Sequence, residues 1–409
     1  SGRAGPFVPN LSFDEIFSQI KRNFYLLGIP LGKKPRFRYY ISVMIVFMTI
    51  VHESLFFFSK FSRENFLELT QLAPCLSIGI LATIKIVLIA NKGNNILELA
   101  NSLKRLYNDA TNNEGKNQIL RKEMIFLRYL VKYFFMLNAI LICVYNFSPF
   151  FIFAYYYFCK HEQVWRLPYA VIVGVSTESW YGWLYAYFHS TTSGYIVVLY
   201  FTTVDALYFV LTTHTYCQFS LLSAEITQLN EENSYLLNNI VKKHQHILHL
   251  AKKLEKIFEG PNLFNVLIGS LEICALGFNV MGDWAQLPGV MLFLSSVLVQ
   301  ILMISVFGEK LMQESMKIGD AAFLSQWYKM DRKSRRTILL LIVRYVSIPV
   351  KMNNFFYQNN SGNSKKKPSS HPYKLPGSEI RMGLTDFFEF PVLFSWKKLF
   401  ILTGSFDGL

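Results

Sequence analysis

The residue of greatest chemical consequence in this 409-residue sequence is Asp205, an acid near the middle of the apolar run 183–216. An ionisable group inside a membrane is costly and seldom faces lipid. We therefore expect Asp205 to point into a protein or water-filled interior and to pair with Thr202, Tyr208 or a neighbouring helix. A direct part in ion passage or gating is the alternative interpretation.

Sequence patterns for catalysis and for metal binding are missing. No GxSxG elbow, GxxxxGK[ST] loop, HExxH motif or GxGxxG after a strand occurs. Glu178 has Ser and Thr neighbours but no nearby His partner, and His244, His246 and His249 lack the Cys or second His pair of a zinc site. The five cysteines are widely spaced, without CxxC, which is typical of small buried apolar residues. We expect no enzyme activity, no cofactor and no metal.

A set of aromatic and weakly polar residues could instead bind a small apolar molecule. The candidates occupy the outer halves of predicted membrane helices: Phe147, Phe150, Phe151, Tyr185, Phe188, His189, Thr192, Tyr195 and Met291, with Leu76, Ile80, Tyr145 and Phe293 beside them. Small-molecule pockets are mostly apolar with a few orienting polar groups. Packing between helices or an interfacial aromatic belt would explain each residue singly, so only the whole set predicts a pocket. Phe150, Tyr185, His189 and Tyr195 are the strongest individual candidates.

The elements that must position these residues are membrane-length helices. The chain is 52% hydrophobic and 17% charged, whereas soluble domains carry about 25% charged residues. Six apolar runs have the length of a membrane helix, which needs about 20 residues: 40–58, 72–90, 131–157, 183–216, 263–281 and 288–307. Lys85 in the second run is close enough to Lys92 that we expect it to extend to the interface.

Amphipathic segments lie outside these runs. An N-terminal helix, ended by Gly28 and Pro30, is predicted by the helical spacing of Phe13, Ile16, Phe17, Ile20 and Phe24. We expect the fourth helix to continue out of the membrane with a heptad-like seam that stops at Gly260-Pro261, formed by Ile240, Ile247, Leu250, Leu254 and Ile257. A short amphipathic helix over 332–348 is too brief to cross a bilayer.

The distribution of Lys and Arg predicts the orientation. These residues are concentrated before the first run and in segments 93–130, 217–260 and 309–336, while the alternate loops hold two or none. The Lys- and Arg-rich side of a membrane protein is cytosolic, so we expect a cytosolic N-terminus, opposite to that of G-protein-coupled receptors. The net charge of +14 is interpreted as membrane topology, and no nucleic-acid partner is expected because the charge forms no patch on a polar fold.

The predicted fold is therefore an all-α polytopic membrane bundle whose surface also contacts lipid. Its expected parts are a cytosolic N-terminal segment (1–38), membrane helices 1–4 (39–216), a cytosolic helical extension (217–262), membrane helices 5–6 (263–308), a cytosolic anchor segment with its amphipathic helix (309–350), and an atypical polar tail (351–409).

The segment from Phe307 to Val350 carries an ordered series of residues: Gly308-Glu309, Ser315, Ala321-Ala322, Trp327-Tyr328, Arg335-Arg336 and Pro349-Val350. This series resembles the C-terminal signature of the insect odorant receptor family, and the likeness extends over 11–350. The resemblance implies an odorant-specific subunit that binds volatile molecules in the outer halves of the helices and gates a cation channel as a hetero-tetramer with a co-receptor. It also implies a plasma-membrane location in the sensory dendrites of olfactory neurons.

Two further expectations follow from the resemblance. The chain lacks the long insertion between the fourth and fifth spans that marks the co-receptor, which favours an odorant-tuned subunit. The residues expected to anchor subunits together are Ile240, Ile247, Leu250, Leu254, Trp327, Tyr328, Arg335 and Arg336. The alternatives are a gustatory receptor of the same superfamily and a secondary transporter, although the internal repeat of a transporter is not visible.

The tail departs from the family pattern after Pro349-Val350, where a pore helix would follow. The run Lys365-Lys366-Lys367 precedes Pro368, and one central Lys costs about 2.5–3.5 kcal/mol on insertion. We expect a polar linker followed by an interfacial segment over 382–402, and a chain that does not complete a pore alone. Such an abrupt departure suggests an altered splice product or a gene-model error.

Overall fold

The computed structural model describes residues 13–61, 66–111, 114–161, 167–169, 179–280 and 287–347. Within these ranges the chain is helical and contains no β-strand. The helices in chain order are α1 (Phe13–Leu26), α2 (Phe37–Ser59), α3 (Phe66–Ala90), α4 (Gly93–Thr111), α5 (Glu114–Tyr155), α6 (Trp180–Thr227), α7 (Leu237–Val280), α8 (Leu287–Leu324) and α9 (Arg332–Ser347). The predicted all-α class is confirmed for this part of the chain.

Six of the described helices are long and apolar enough to cross a membrane. They are α2, α3, α5, α6, α7 and α8, and each coincides with one of the six predicted runs. The later helices are much longer than those runs, because α6 has 48 residues and α7 has 44. At 1.5 Å per residue they extend well beyond the ~30 Å of hydrocarbon in a bilayer.

The predicted amphipathic N-terminal helix is confirmed as α1. Five apolar residues at helical spacing are buried: Phe13, Ile16, Phe17, Ile20 and Phe24. On its polar side, Glu15 pairs with Arg128 of α5 at 2.9 Å. The chain then reverses into α2 through Gly28, which has a φ of +80° and lies so close to Tyr39 that a Cβ would meet its backbone nitrogen at 2.5 Å. Only glycine fits this turn without strain.

Helix α6 is the centre of the bundle. Helices α1 to α5, α7 and α8 all pack against it. From Tyr200 to Leu222 every residue except Ser220 is buried. A membrane helix surrounded in this way is shielded from lipid, which explains how it can carry the acid Asp205.

The fourth helix does continue beyond the predicted run 183–216. The prediction that it extends as one helix to Gly260-Pro261 and stops there is wrong. Helix α6 ends at Thr227, and in the following turn the carbonyl of Leu229 accepts a hydrogen bond from the backbone N–H of Gln326 at 3.1 Å. Helix α7 then runs without interruption through Pro261. At Pro261 the helix is supported by a contact from a distant part of the chain.

That contact comes from Lys92, which follows α3. A proline has no N–H to donate to the carbonyl four residues earlier, which here belongs to Ile257. The Lys92 ammonium donates to this carbonyl at 3.0 Å and to the carbonyl of Lys256 at 2.6 Å. Because Lys92 replaces the hydrogen bond that Pro261 cannot make, α7 continues into its membrane span.

Helix α9 begins at a side-chain cap. The Asp331 carboxylate accepts hydrogen bonds from the backbone N–H groups of Lys333 and Ser334 at 3.0 and 3.3 Å. Hydrogen bonds from Ser334 hold the pKa of Asp331 below its ordinary value. The predicted amphipathic helix over 332–348 is thus present as far as Ser347. Pro349-Val350 and the tail 351–409 lie outside the described residues.

Candidate functional site

A cavity lies between α2, α3, α5, α6 and α8. The space free of protein atoms there is about 590 Å³, a figure that includes open solvent. Most of its wall is apolar and comes from Val46, Ile50, Ile78, Leu141, Ile142, Val197, Val198 and Phe293. Such a wall suits a hydrophobic ligand.

Small residues make the room for this cavity. Helix α3 contributes Gly79, and α6 contributes Ser190, Ser193 and Gly194. Together with Val197, these α6 residues occupy positions 190, 193, 194 and 197. This spacing places them on one face of the helix. Since these side chains are short, the neighbouring helices enclose space at this level.

A tyrosine from the connection between α5 and α6 covers one side of the cavity. Tyr169 stacks on Tyr145 with ring centroids 6.4 Å apart, and its hydroxyl donates to Asn146 Oδ1 at 3.2 Å. The hydroxyl of Tyr187 also donates to the Asn146 carbonyl at 2.8 Å. A Cβ on Gly194 would come within 2.6 Å of the Tyr169 hydroxyl. The glycine therefore allows Tyr169 to lie against α6.

Two polar groups in the wall stand out. Glu53 of α2 is 4% exposed, and among the described residues it has no hydrogen-bond or ion-pair partner. Ser190 of α6 is fully buried, and its Oγ is also without a partner there. A third polar residue, Thr49, uses its hydroxyl to donate to the carbonyl of Ile45 at 3.1 Å. Glu53 and Ser190 thus retain hydrogen-bonding capacity that a ligand can use.

An ion pair lies deeper in the bundle. Lys85 Nζ of α3 contacts both carboxylate oxygens of Asp205 at 2.8 and 2.9 Å. Gln300 Nε2 of α8 donates to the same carboxylate at 2.7 Å and to Asn265 Oδ1 of α7 at 3.0 Å. Four helices therefore meet at this cluster, about two helical turns from the cavity residue Val198.

This cluster tests two predictions made from the sequence, one about Asp205 and one about Lys85. Asp205 does pair with a neighbouring helix, as expected, although its partners are not Thr202 or Tyr208. The prediction that Lys85 extends to the interface is wrong, because its side chain is 0% exposed and bonded to Asp205. The carboxylate 2.8 Å away compensates the charge of the buried ammonium.

None of the nine ligand-binding residues predicted from the sequence lines this cavity. Eight of them are exposed on the bundle surface: Phe147, Phe150, Phe151, Tyr185, Phe188, Thr192, Tyr195 and Met291. The ninth, His189, is partly buried, with its ring edge-on to His52 at 5.6 Å. Phe150 packs edge-on against Tyr187 at 5.0 Å. Their part in ligand binding stays a prediction, distinct from the cavity.

The cavity residues could be found only partly from the sequence. Tyr145 and Phe293 belong to the wider aromatic set and do line the cavity. That set consists mainly of large aromatic residues. A cavity forms instead where side chains are small, so the set omits most of the cavity wall. The spacing of Ser190, Ser193 and Gly194 was the available signal.

The predicted anchor residues fall into two groups. Buried within this chain's own core are Ile240, Ile247, Leu250 and Leu254. Trp327 is half-buried, while Tyr328, Arg335 and Arg336 are exposed. The α7 seam therefore packs against helices of the same chain. The role of both groups between subunits stays a prediction, and the exposed group is the one with side chains available for such a contact.

Comparison with known proteins identifies relatives over most of the chain. A sequence model of the family described as 7tm Odorant receptor matches residues 65–358. Odorant receptor 85b of Drosophila melanogaster is 23% identical over 303 residues, which cover 71% of this chain and 77% of that protein. Odorant receptor 85c of the same insect is 24% identical over 328 residues, covering 75% and 81%.

Solved structures give the same result for the fold. The insect olfactory receptor OR5 from Machilis hrabei matches with a TM-score of 0.71 at 13% identity, over 84% of this chain and 92% of that chain. The same receptor in complex with eugenol also matches with a TM-score of 0.71, at 14% identity over 84% and 93%. The arrangement of helices in this chain is thus that of a solved insect olfactory receptor.

Proposed function

The chain belongs to the 7tm odorant receptor family, and on that premise we propose that it is an odorant-specific subunit that binds a small volatile molecule in the cavity. The observation that carries this proposal is an apolar cavity with two unused polar groups between helices of membrane length. The related OR5 receptor has been solved with eugenol, a ligand of comparable kind.

The subunit gates a cation channel together with a co-receptor in the plasma membrane of olfactory dendrites. This part of the proposal rests on the family resemblance. The segments with excess Lys and Arg face the cytosol in this arrangement, and the cavity faces outward. An epitope placed between α4 and α5 should therefore be stained by antibody only after the cells are permeabilised.

The binding proposal is tested by co-expressing the chain with a co-receptor and measuring current over a chemically diverse panel. Ser193→Leu places a large side chain in the cavity, and we expect it to abolish or weaken responses by at least about tenfold, since overpacking costs ~1–3 kcal/mol. Thr192→Leu is the matched control, because this neighbour is exposed. Its responses should stay within about twofold of the unmodified receptor.

The two variants also separate the cavity from the surface residues predicted from the sequence. Loss of response in Thr192→Leu, with normal responses in Ser193→Leu, would place the ligand on the exposed aromatic face instead. Surface expression of both variants is measured by biotinylation, so that a folding defect is not taken for a binding defect.

We propose that α9 contributes to the contact with the co-receptor. Its buried side is formed by Ile338 and Leu341, whereas Leu340 and Val343 are 71% and 60% exposed. Charged residues at both exposed positions, L340D with V343D, should reduce co-purification with the co-receptor while the subunit still folds. The same change at Leu250 and Leu254 should unfold the subunit itself, because those side chains are buried in its own core.

A further inference from the structure

The unpartnered carboxyl group of Glu53 restricts the chemistry of the ligand. Each of the other buried acids has at least one partner: Asp205 binds Lys85, Glu272 accepts from Ser77 at 3.0 Å through Oε1 while its Oε2 has none, and Glu314 accepts from Lys317 at 2.6 Å. Leaving a buried carboxyl without a partner destabilises a protein. At a cavity wall such a carboxyl can be satisfied by what fills the cavity, whether water or a ligand.

Ser190 of α6 also offers an unused hydrogen-bonding group to the cavity. Ser190 of α6 is fully buried with an unpartnered Oγ, and it lines the same cavity as Glu53 of α2. The remaining wall residues on these two helices are mainly apolar, such as Val46 and Val197. The cavity therefore offers a hydrocarbon surface and a small number of polar atoms for one polar end of a ligand.

We propose that Glu53, assisted by Ser190, binds the polar head group of the ligand, and that this ligand is a hydrogen-bond donor: an alcohol, a phenol or an amine on a small hydrocarbon body. This inference rests on the proposed function, because it names the ligand class of the same cavity.

The preference for a donor follows from the chemistry of a carboxyl group. Its oxygens accept hydrogen bonds whether the group is protonated or ionised, whereas it donates only when protonated. An alcohol or amine can therefore satisfy Glu53 in either state, and an alcohol can in addition accept from the Ser190 hydroxyl. Esters and ketones have no donor, so they can satisfy only the protonated carboxyl, and hydrocarbons satisfy neither state.

The test compares ligands that share a six-carbon body and differ at the head group. The probes are 1-hexanol, hexylamine, 2-hexanone and hexane. Two readouts are used on the full chain: thermal stabilisation of the purified protein, which reports binding alone, and current in cells with a co-receptor, which reports receptor function. We expect 1-hexanol or hexylamine to bind roughly 10- to 100-fold more tightly than 2-hexanone or hexane, the ratio given by one hydrogen bond to a charged group.

Two substitutions assign this preference to Glu53. Glu53→Leu should reduce the donor-to-nondonor ratio to less than about threefold and leave the binding of hexane unchanged or improved. Glu53→Gln keeps an acceptor and a donor in the same shape but cannot carry a negative charge. It should preserve binding of the alcohol and, where the ligand is an amine held as an ion pair, lose binding of the amine.

The outcomes separate this inference from the proposed function. Donor-selective binding that depends on Glu53 but evokes no current supports the ligand class and contradicts the receptor proposal. Current that is equal for donors and nondonors, or unchanged in Glu53→Leu, overturns the ligand class and leaves the receptor intact. Absence of binding by both donors in the purified, folded chain also overturns it. Ser190→Ala should weaken alcohol binding by a smaller factor, because a neutral hydrogen bond is weaker than one to a carboxylate.

Discussion

The two halves of α6 differ in how tightly they are packed. From Trp180 to Val198, buried residues alternate with exposed ones, and the buried stripe includes the small Ser190 and Ser193. From Tyr200 to Leu222 almost all side chains are buried, including large ones such as Tyr200 and Phe209. One continuous helix thus combines a site with space for a ligand and a centre in which each side chain is fixed by its neighbours.

The largest effect should come from breaking the ion pair in the packed half. Lys85→Met leaves Asp205 unpaired at 2% exposure, and we expect a loss of about 3–5 kcal/mol in the free energy of unfolding. The measurement is thermal or denaturant unfolding of the purified chain. The double variant K85M/D205L should regain most of the loss, and a single variant as stable as the unmodified chain would contradict the role of the pair.

A leucine from each half provides a direct comparison. Leu211→Ala removes a side chain that is 0% exposed and should cost about 2–5 kcal/mol. Leu184→Ala, in the other half, removes one that is 36% exposed and should cost at most about 0.5 kcal/mol. Equal losses of stability at the two positions would show that the halves are packed alike.

The next effect tests whether α7, like α6, depends on a contact from a distant part of the chain. Lys92→Met leaves the Ile257 carbonyl without its donor, and we expect a loss of about 1–3 kcal/mol. Pro261→Ala restores the backbone N–H that would bond to this carbonyl. The double variant K92M/P261A should therefore be more stable than K92M alone, and if it is not, another group satisfies the carbonyl.

The smallest effect on stability is expected in the cavity half. Gly194→Ala places a methyl group against the Tyr169 hydroxyl, which must move away from Asn146. Because this hydroxyl is the end of a flexible side chain, we expect less than about 1 kcal/mol of destabilisation but a severalfold change in odorant sensitivity. Dose-response curves measured beside unfolding curves will show whether the two effects separate.

Local patterns predicted the helices well, and contacts distant in the sequence were not predicted. The buried face of α1 follows from the spacing of Phe13, Ile16 and Phe17, which requires no knowledge of the partner helix. Lys85 and Asp205 are 120 residues apart, so the sequence around either one does not reveal the pair. Lys92 and Pro261 are a second such case, in which a distant side chain reverses the local rule for proline.

The candidate site is predicted less completely than the helices, because it too depends on contacts between residues distant in the sequence. The sequence indicated the correct helices, and Tyr145 and Phe293 are in the wall. Yet the choice between the two sides of α6 depends on which neighbours surround it, and aromatic residues are common on both sides. Glu53 could not be singled out, because an acid near the end of an apolar run is equally compatible with the interface.

The length and continuity of α6 have a mechanical consequence. Asp205 lies near the midpoint of the helix, about 18 Å from Ser193 on one arm and about 33 Å from Thr227 on the other. If α6 is regarded as a rigid rod held at Asp205, the ion pair is the fulcrum of a lever. A sideways displacement of about 1 Å at Ser193 would then move Thr227 by about 1.8 Å in the opposite direction, in the ratio of the two arm lengths. A ligand small enough for this cavity could thus produce its largest movement at the end of the helix that it never touches.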